Sequence, residues 1–186
     1  MRLHDTFYEL VSTSFGTMGI IWWQTTDGPR VRETLLERGP RSTVEVIRRR
    51  YPDTHRLSSP AIAELGDNVR RFLGGEAVVF DLKIIALELC GEFQRNVLLA
   101  EYGIPRGWVS TYGRIAKHIG IAGSSRAVGT ALAKNPFPII IPCHRAVRAN
   151  GALGGYQGGI GMKRALLEME GVEFAGDKVL MLRVYY

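Results

Sequence analysis

The stretch PFPIIIPCHRAV, from Pro136 to Val147, constrains the fold more than any other part of the sequence. Asn135 and Pro136 end the helical pattern that precedes it, and three consecutive isoleucines predict a buried, strand-like segment. Pro142 fixes the backbone angle φ and removes a donor immediately before Cys143. The sequence therefore predicts that Cys143 lies where a rigid, buried segment stops, a position that would hold a nucleophile still.

Cys143 is followed directly by His144. A free cysteine has a pKa of about 8.5, so only a few per cent is thiolate at neutral pH unless a base accepts the proton. Adjacent side chains diverge in both strands and helices, so a direct hydrogen bond between the two requires a turn, and a water relay is the easier geometry. The pair taken alone favours accidental adjacency over a catalytic arrangement.

The distribution of charge separates the two halves of the chain. Residues 1–90 carry 12 basic and 12 acidic side chains, whereas residues 91–186 carry 12 basic and only 6 acidic ones and so hold the whole net charge of +6. Residues 102–167 contain no Asp or Glu but nine basic side chains. Such a stretch is typical of a surface that meets a polyanion such as nucleic acid, with a solvated basic face as the alternative.

The pattern of the first half predicts a small α/β domain over residues 1–88. Strands are expected between residue 5 and residue 36, separated at Gly16 and at Asp27-Gly28-Pro29, and AVVFDL is expected as a further short strand. STVEVIRRRY and SPAIAELGDNVRRFLGG have helical spacing. Residues 89–186 are expected to form a second, mostly helical domain that begins with the helix GEFQRNVLLAEYG.

Two short helices joined by GIAG form a helix-turn-helix signature in that second domain: STYGRIAKHIG and SSRAVGTALAKNP. Ser110 or Thr111 can cap the first and Ser124 or Ser125 the second, and Gly120 lies where a C-cap glycine belongs. The second helix has Arg126 near its start and small residues along it. Small residues also permit helix–helix packing, but the basic surroundings favour contact with DNA.

A glycine-dense segment, GALGGYQGG, follows the Cys143 region. It lacks the glycine spacing of nucleotide-binding loops, and a loop that closes Tyr156 over a bound ring fits better. The next helix, GMKRALLEMEG, carries Glu168 and Glu170 in its last turn, where the helix dipole disfavours carboxylates. A local partner is therefore expected, and a histidine is one candidate, which would make Cys143, His144 and Glu170 a nucleophile, base and orienting acid.

Several classes of protein are disfavoured by composition. No apolar run approaches the roughly 18 residues of a membrane span, and MRLHDTFYEL lacks the apolar region of a signal peptide, so a cytoplasmic or DNA-associated location is expected. Four scattered histidines and two distant cysteines show no metal-ligand spacing and predict no disulfide.

Five motifs in order resemble one family. NPFPIIIPCHR, STYGRIA, SSRAVGTALAKNP, GGYQGG and LLEMEG, spread over about residues 91–172, are similar to the O6-alkylguanine-DNA alkyltransferases, the methylated-DNA–protein-cysteine methyltransferases. The resemblance implies an N-terminal ribonuclease-H-like α/β domain and a C-terminal winged-helix-like domain. It also implies single-turnover transfer of an alkyl group from O6-alkylguanine, and from O4-alkylthymine, in duplex DNA after base flipping. No metal or cofactor is implied; a monomer is expected.

The resemblance assigns roles residue by residue. Cys143 would accept the alkyl group, His144 and Glu170 would activate it, and Asn135 would brace the turn. Tyr112 would contact the lesion and protonate the leaving guanine, while Arg126 would fill the gap left in the duplex. The remaining DNA-binding residues would be Arg114, Ser125, Ala127, Gly129 and Thr130. The substrate pocket would be lined by Pro138, Arg145, Tyr156, Gln157 and Gly158. Some family members hold zinc in the N-terminal domain, but the absence of any cysteine before Cys90 predicts none here.

Three other classes of function stay open at this point. A non-catalytic lesion-binding protein would resemble this chain but lack the cysteine. A transcriptional regulator would use the helix-turn-helix on undamaged DNA, although its second helix is poor in base-reading side chains. A cysteine hydrolase would turn over an acyl substrate, for which the basic surroundings give no reason.

Overall fold

The computed structural model describes residues 5–186, and the chain divides into two units. The first comprises Met1–Leu89 with Pro136–Ile140, and the second Cys90–Asn135 with Ile141–Tyr186. The sequence predicts a single boundary, near residue 88, between two continuous domains. In the structure the first unit also includes Pro136–Ile140, which differs from that expectation. Hydrogen bonds explain it, because the Thr34 N–H donates to the Pro136 carbonyl (2.8 Å) and the Thr34 hydroxyl to the Pro138 carbonyl (3.0 Å).

A four-stranded sheet with the order β3-β2-β1-β4 organises the first unit. The strands pair antiparallel except β4, which runs parallel to β1. Gly16 and Gly28 have φ of 96° and 116°, which glycine adopts readily at the turns between strands. The predicted strands of residues 5–36 are confirmed, with the bounds β1 Thr6–Thr13, β2 Gly16–Thr25 and β3 Gly28–Leu35, followed later by β4 His55–Arg56.

Two helices accompany the sheet, both as predicted. Helix α1, Thr43–Arg50, begins with a capping box between Ser42 and Glu45. Helix α2, Pro60–Leu73, is capped by the Ser59 hydroxyl and buries the face that the periodicity indicated, namely Ile62, Leu65, Val69, Phe72 and Leu73.

The predicted strand AVVFDL is wrong. Its residues, 77–82, form no strand, and the last of them begins the 3-10 turn Leu82–Ile84. Only part of the apolar run is buried, since Phe80 packs against Phe72 while the Val79 side chain is 88% exposed. The edge of β3 receives a single parallel bridge, from Ile85 to Val31. An apolar run without a neighbouring strand cannot satisfy its backbone groups as a sheet member.

Helices are the main elements of the second unit, although they contain fewer than half of its residues. Its helices α3 to α6 span Glu92–Tyr102, Tyr112–His118, Ser125–Ala133 and Gly159–Met169. Two small strand pairs join them: β5 Ser110–Thr111 runs parallel to β6 Ala146–Val147, and β7 Phe174–Ala175 runs antiparallel to β8 Lys178–Val179. Within residues 5–186, no helix is long and apolar enough to cross a bilayer; the first four residues of MRLHDTFYEL lie outside the described residues.

The predicted N-cap hydrogen bond forms in α4 but not in α5. The Thr111 hydroxyl accepts a hydrogen bond from the Arg114 N–H (3.2 Å) and caps α4, and Gly120 follows with φ of 80°. Ser124 occupies the N-cap position of α5 but makes no capping hydrogen bond through its side chain. The start of α5 therefore keeps backbone N–H groups for other partners.

The isoleucine run is buried, as predicted, but it is not an extended strand. Residues 139–140 form a turn in which Ile139 has φ of 77°, a conformation that is rare for a β-branched residue. After Pro142 the chain forms a 3-10 turn over Cys143–Arg145, which we call the cysteine turn. The turn, rather than the end of a strand, sets the direction of the Cys143 side chain.

Candidate active site

A cavity of about 330 Å³ opens in the second unit and contains Cys143 in its lining. Its wall combines residues of α4 and α5 with residues of the glycine-dense segment. The lining residues are Tyr112, Ser125, Arg126, Gly129, Leu132, Ala133, Cys143, Arg148, Gly154, Gly155, Tyr156 and Gln157. The volume is that of a small-molecule site.

The Cys143 side chain is 5% exposed. Burial raises the pKa of the thiol to about 12, and nearby Glu101 raises it further in its charged form, while hydrogen bonding to Asn135 and the charge of Lys163 lower it. The resting cysteine is therefore a thiol, and any reaction at the sulfur needs a base nearby.

The predicted base, His144, is the next residue in the sequence. His144 is fully buried, and its Nε2 lies 3.0 Å from Glu170 Oε1, the contact with a histidine that the position of Glu170 suggested. Arg145 donates two hydrogen bonds to the same carboxylate, from Nε to Oε2 (2.9 Å) and from Nη2 to Oε1 (2.8 Å). Burial alone would raise the pKa of Glu170, but His144 and Arg145 outweigh it and lower the pKa to about 2. Burial lowers the pKa of His144, which favours the neutral ring that can accept a proton.

Two amide side chains connect the wall of the cavity to the cysteine turn. Asn135 donates from Nδ2 to the Ile141 carbonyl (3.1 Å). Gln157 donates from Nε2 to the Asn135 carbonyl (2.6 Å) and to the Ala133 carbonyl (3.3 Å). The glycine-dense segment is thereby fixed to the end of α5 next to Cys143.

Two tyrosines line the cavity. Burial raises the pKa of Tyr112 to about 12, with further increases from Glu101 and Cys143, so its hydroxyl keeps its proton. The Tyr156 hydroxyl is buried and has no hydrogen-bond partner within residues 5–186. A Cβ at Gly154, whose φ is 70°, would lie 2.6 Å from the Tyr112 hydroxyl, so only glycine fits beside that group.

The predicted DNA-binding residues of α5 form an exposed face. Ser125, Arg126, Ala127 and Thr130 are exposed, and Gly129 is half-buried. Arg114 of α4 behaves differently, because its guanidinium donates to the backbone carbonyl of Tyr186.

The cavity differs from the predicted pocket at three positions and adds residues that the sequence did not single out. Of the predicted pocket residues, Tyr156 and Gln157 line it, whereas Arg145 is turned onto Glu170 and Pro138 and Gly158 lie outside the lining. Arg148 is a charged addition to the lining, whereas Glu101 and Lys163 lie outside the lining but act on the charge of Cys143. Arg148 and Lys163 are two of the nine basic residues in the acid-free stretch, and that pattern is the sequence signal that could have pointed to them.

The comparison with known proteins bears on the same part of the chain. Residues 92–172 match the family model described as 6-O-methylguanine DNA methyltransferase, DNA binding domain. A methylated-DNA–protein-cysteine methyltransferase of Mycobacterium bovis is 39% identical over 166 residues, which are 87% of this chain and 99% of the relative. The chain belongs to the methylated-DNA–protein-cysteine methyltransferase family. A second member, from Methanothermobacter thermautotrophicus, is 50% identical over 64% of this chain and 68% of the relative.

Solved structures of the family agree with the fold. The crystal structure of Mycobacterium tuberculosis OGT in complex with DNA has a TM-score of 0.69 and 31% identity, and the match covers 88% of this chain and 92% of that one. The mixed α/β fold of this chain is thus that of a family member, and the whole cavity lies within the segment that matches the methyltransferase model. Among residues 5–186, no group of three or more His, Cys, Asp or Glu side chains is arranged to hold a metal ion.

Proposed function

We propose that this protein repairs DNA by direct reversal, moving the alkyl group of O6-alkylguanine in duplex DNA onto the sulfur of Cys143. The observation that carries the proposal is a nearly buried cysteine in a cavity whose rim is the exposed face of α5 with Arg126. The surrounding stretch, free of carboxylates from residue 102 to residue 167, suits a phosphate backbone.

Base flipping follows from the accessibility of the sulfur. A side chain that is 5% exposed cannot reach a base inside a stacked duplex, so the alkylated nucleotide must leave the stack and enter the cavity. Extrusion costs a few kcal/mol, and an arginine that occupies the vacated space offsets part of it. Arg126, exposed near the start of α5 and on the rim of the cavity, is the residue for that role.

The transfer is a single displacement at carbon. The Cys143 proton passes through water to His144, and the resulting imidazolium is stabilised by Glu170, which stays ionised. The sulfur then bonds to the alkyl carbon while the bond from that carbon to the guanine O6 breaks and its electron pair stays with the base. Tyr112 donates a proton to the leaving guanine and regains one from the site, so the thiol proton ends on the base.

The product is a thioether, which has no easy route back to the thiol. Each molecule should therefore act once and be consumed, without a cofactor. A cavity open enough for a purine also admits a smaller pyrimidine, so we propose O4-alkylthymine as a second substrate. We further propose that the protein acts as a monomer.

The two units fit the finer fold assignments that the family resemblance implies. The order β3-β2-β1-β4, with β4 parallel to β1, supports a ribonuclease-H-like first unit. The succession α3, α4 and α5 with short strand pairs supports a winged-helix-like second unit, in which α5 is the DNA-facing helix.

A titration tests the proposal. A duplex with one O6-methylguanine is added in increasing excess to a fixed amount of protein, and the lesion remaining in the DNA is counted. We expect repair to stop at one lesion per protein molecule and to be absent in Cys143→Ala. Continued turnover would contradict single use, and binding without loss of the lesion would place the protein among lesion-binding proteins instead.

A further inference from the structure

Glu101 is a buried carboxyl group that the mechanism above does not use. It lies in α3 near the helix end, its side chain is fully buried, and neither of its carboxyl oxygens has a hydrogen-bond partner within residues 5–186. A buried carboxylate without partners is strongly disfavoured, and such groups usually take up a proton instead. A group of this kind beside a reactive cysteine requires an explanation.

The groups that face Glu101 come from three elements and from the last residue of the chain. They are Lys163 on α6, Arg145 and Cys143 on the cysteine turn, Tyr112 on α4, and Tyr186. The Ala146 N–H also approaches the carboxyl group, from outside hydrogen-bonding geometry. Both cations are engaged elsewhere. Arg145 is held by Glu170 and by the Ile104 carbonyl, at 2.6 Å from its Nη1.

Lys163 is also buried, and Glu101 does not form an ion pair with it. Its side chain is fully buried, and Nζ donates to the Ala146 carbonyl (2.6 Å) and more weakly to the Gly155 carbonyl (3.4 Å). Among the described residues, no carboxylate lies within ion-pair distance of that nitrogen. Carbonyl oxygens satisfy the ammonium group without cancelling its charge.

The balance of charge around Cys143 depends on the proton of Glu101. Burial lowers the pKa of Lys163 to about 8, so at neutral pH Lys163 still supplies one positive charge beside that of Arg145, and Glu170 supplies one negative charge. Burial raises the pKa of Glu101 to about 8 against the opposing effect of Lys163 and Arg145, so the group is neutral at neutral pH. One positive charge then acts on the sulfur without opposition.

We propose that Glu101 is kept as a neutral carboxylic acid behind Cys143, so that the charge of Lys163 stabilises the thiolate that forms during alkyl transfer. This inference rests on the proposed function. Glu101 contacts neither the sulfur nor the substrate. It is a positioning residue that acts through Lys163, because a neutral Glu101 leaves the positive charge of that lysine unopposed. An ionised Glu101 would oppose the thiolate and cancel Lys163.

The pH dependence of stability tests the state of Glu101 without any reaction. Its pKa is higher in the folded protein, about 8, than the value of 4.5 for an unperturbed carboxyl group, so the folded state binds the proton more tightly. Stability from this group is fully present below the unfolded pKa and is lost as pH rises through the folded pKa. The free energy of unfolding of the wild type relative to Glu101→Gln should therefore fall between about pH 5 and pH 8 and then level off.

The control for this measurement is Glu168→Gln, which removes an exposed glutamate of α6 and should show no matching slope. Glu101→Leu is the second variant if the glutamine folds poorly, since it also lacks a titrating group. A difference that stays flat or grows with pH would overturn the proposal, because it would mean that Glu101 is ionised in the folded protein.

The second measurement is the rate of alkyl transfer from an O6-methylguanine duplex in single-turnover conditions. We expect Glu101→Gln, which mimics the neutral acid, to react within about twofold of the wild type between pH 6 and pH 7, where Lys163, whose pKa burial lowers to about 8, keeps its charge in both proteins. A rate lowered by a constant factor at every pH would show a structural role and overturn the proposal. If the wild type itself transfers nothing, the proposed function fails, while the stability measurement still decides the state of Glu101.

Discussion

Two buried carboxyl groups flank Cys143, and the structure treats them in opposite ways. Glu170 receives hydrogen bonds from Arg145 and is paired with His144, and its pKa falls to about 2. Glu101 receives none within the described residues, and its pKa rises to about 8. Both groups belong to the same unit and are nearly inaccessible to solvent, so burial does not separate them. Their pKa values differ because different numbers of hydrogen-bond donors are directed at the two carboxyl groups.

The difference explains how a base and a cation can both act on one sulfur in the proposed mechanism. There, Glu170 stays negative and orients His144, which prepares the ring to receive a proton. Glu101 stays neutral and does not cancel the charge of Lys163, which favours the sulfur anion that remains. A site with two ionised carboxylates would support the first step and oppose the second.

The largest expected effect comes from removing the ionised member of the pair. Glu170→Gln leaves the buried guanidinium of Arg145 without its charge partner and should lower the free energy of unfolding by about 3–5 kcal/mol. Glu101→Gln, the matched change at the other carboxyl group, should leave the free energy of unfolding at pH 7 unchanged or increase it, because it removes a buried acid that must take up a proton on folding. Urea unfolding at pH 7 measures both, and equal losses would show that the two groups are alike.

The same pair should respond oppositely to acid. The folded pKa of Glu170, about 2, lies below the value of 4.5 for an unperturbed carboxyl group, so its stabilisation is present above the unfolded pKa and is lost as pH falls toward the folded pKa. The full difference corresponds to about 3 kcal/mol. Stability of the wild type relative to Glu170→Gln should shrink between pH 4.5 and pH 2 in urea titrations, and a difference that persists to pH 2 would contradict this assignment.

The sequence predicted the contact between Glu170 and a histidine, and the catalytic roles of Cys143, His144 and Glu170 stay predictions. Cys143, His144 and Glu170 were singled out because a cysteine followed an apolar run and a carboxylate lay where a helix dipole disfavours it. The fold around them was predictable too, since glycine turns and helical periodicity are local signals. AVVFDL failed because a strand depends on a neighbour, and the isoleucine run failed because burial does not distinguish a turn from a strand.

Glu101 could not be found in the same way. It lies in an amphipathic helix where a glutamate ordinarily faces solvent, and only the packing of α3 against the cysteine turn buries it. Lys163 was visible only as one of nine basic residues, because nothing local in α6 shows that its ammonium group reaches the Ala146 carbonyl. Long-range packing decided both positions.

Lys163→Met should give an intermediate effect. The change removes the cation near the sulfur and the contact between α6 and the Ala146 carbonyl, and we expect alkyl transfer at pH 7 to slow by about tenfold, or about 1.4 kcal/mol. Lys178→Met, at an exposed lysine of β8, is the control and should leave the rate unchanged. Equal rates in Lys163→Met and the wild type would remove Lys163 from the account.

The smallest expected effect lies at the rim, away from both carboxyl groups. Arg148 is exposed, lines the cavity, and should contact a phosphate of the extruded nucleotide. Arg148→Gln should weaken DNA binding a few-fold and reduce the salt dependence of log K by about one unit, whereas reaction with O6-benzylguanine as a free base should not change. Arg164→Gln, outside the cavity lining, is the control. Loss of the free-base reaction would place Arg148 in the chemistry instead.

The most direct test of the central claim is the mass of the protein after reaction with a duplex that carries one O6-methylguanine. We expect every active molecule to gain one methyl group in place of one hydrogen, and peptide mapping to place it on Cys143, with no gain in Cys143→Ala. A methyl group on another residue, or an unchanged mass while the lesion disappears from the DNA, would contradict Cys143 as the acceptor.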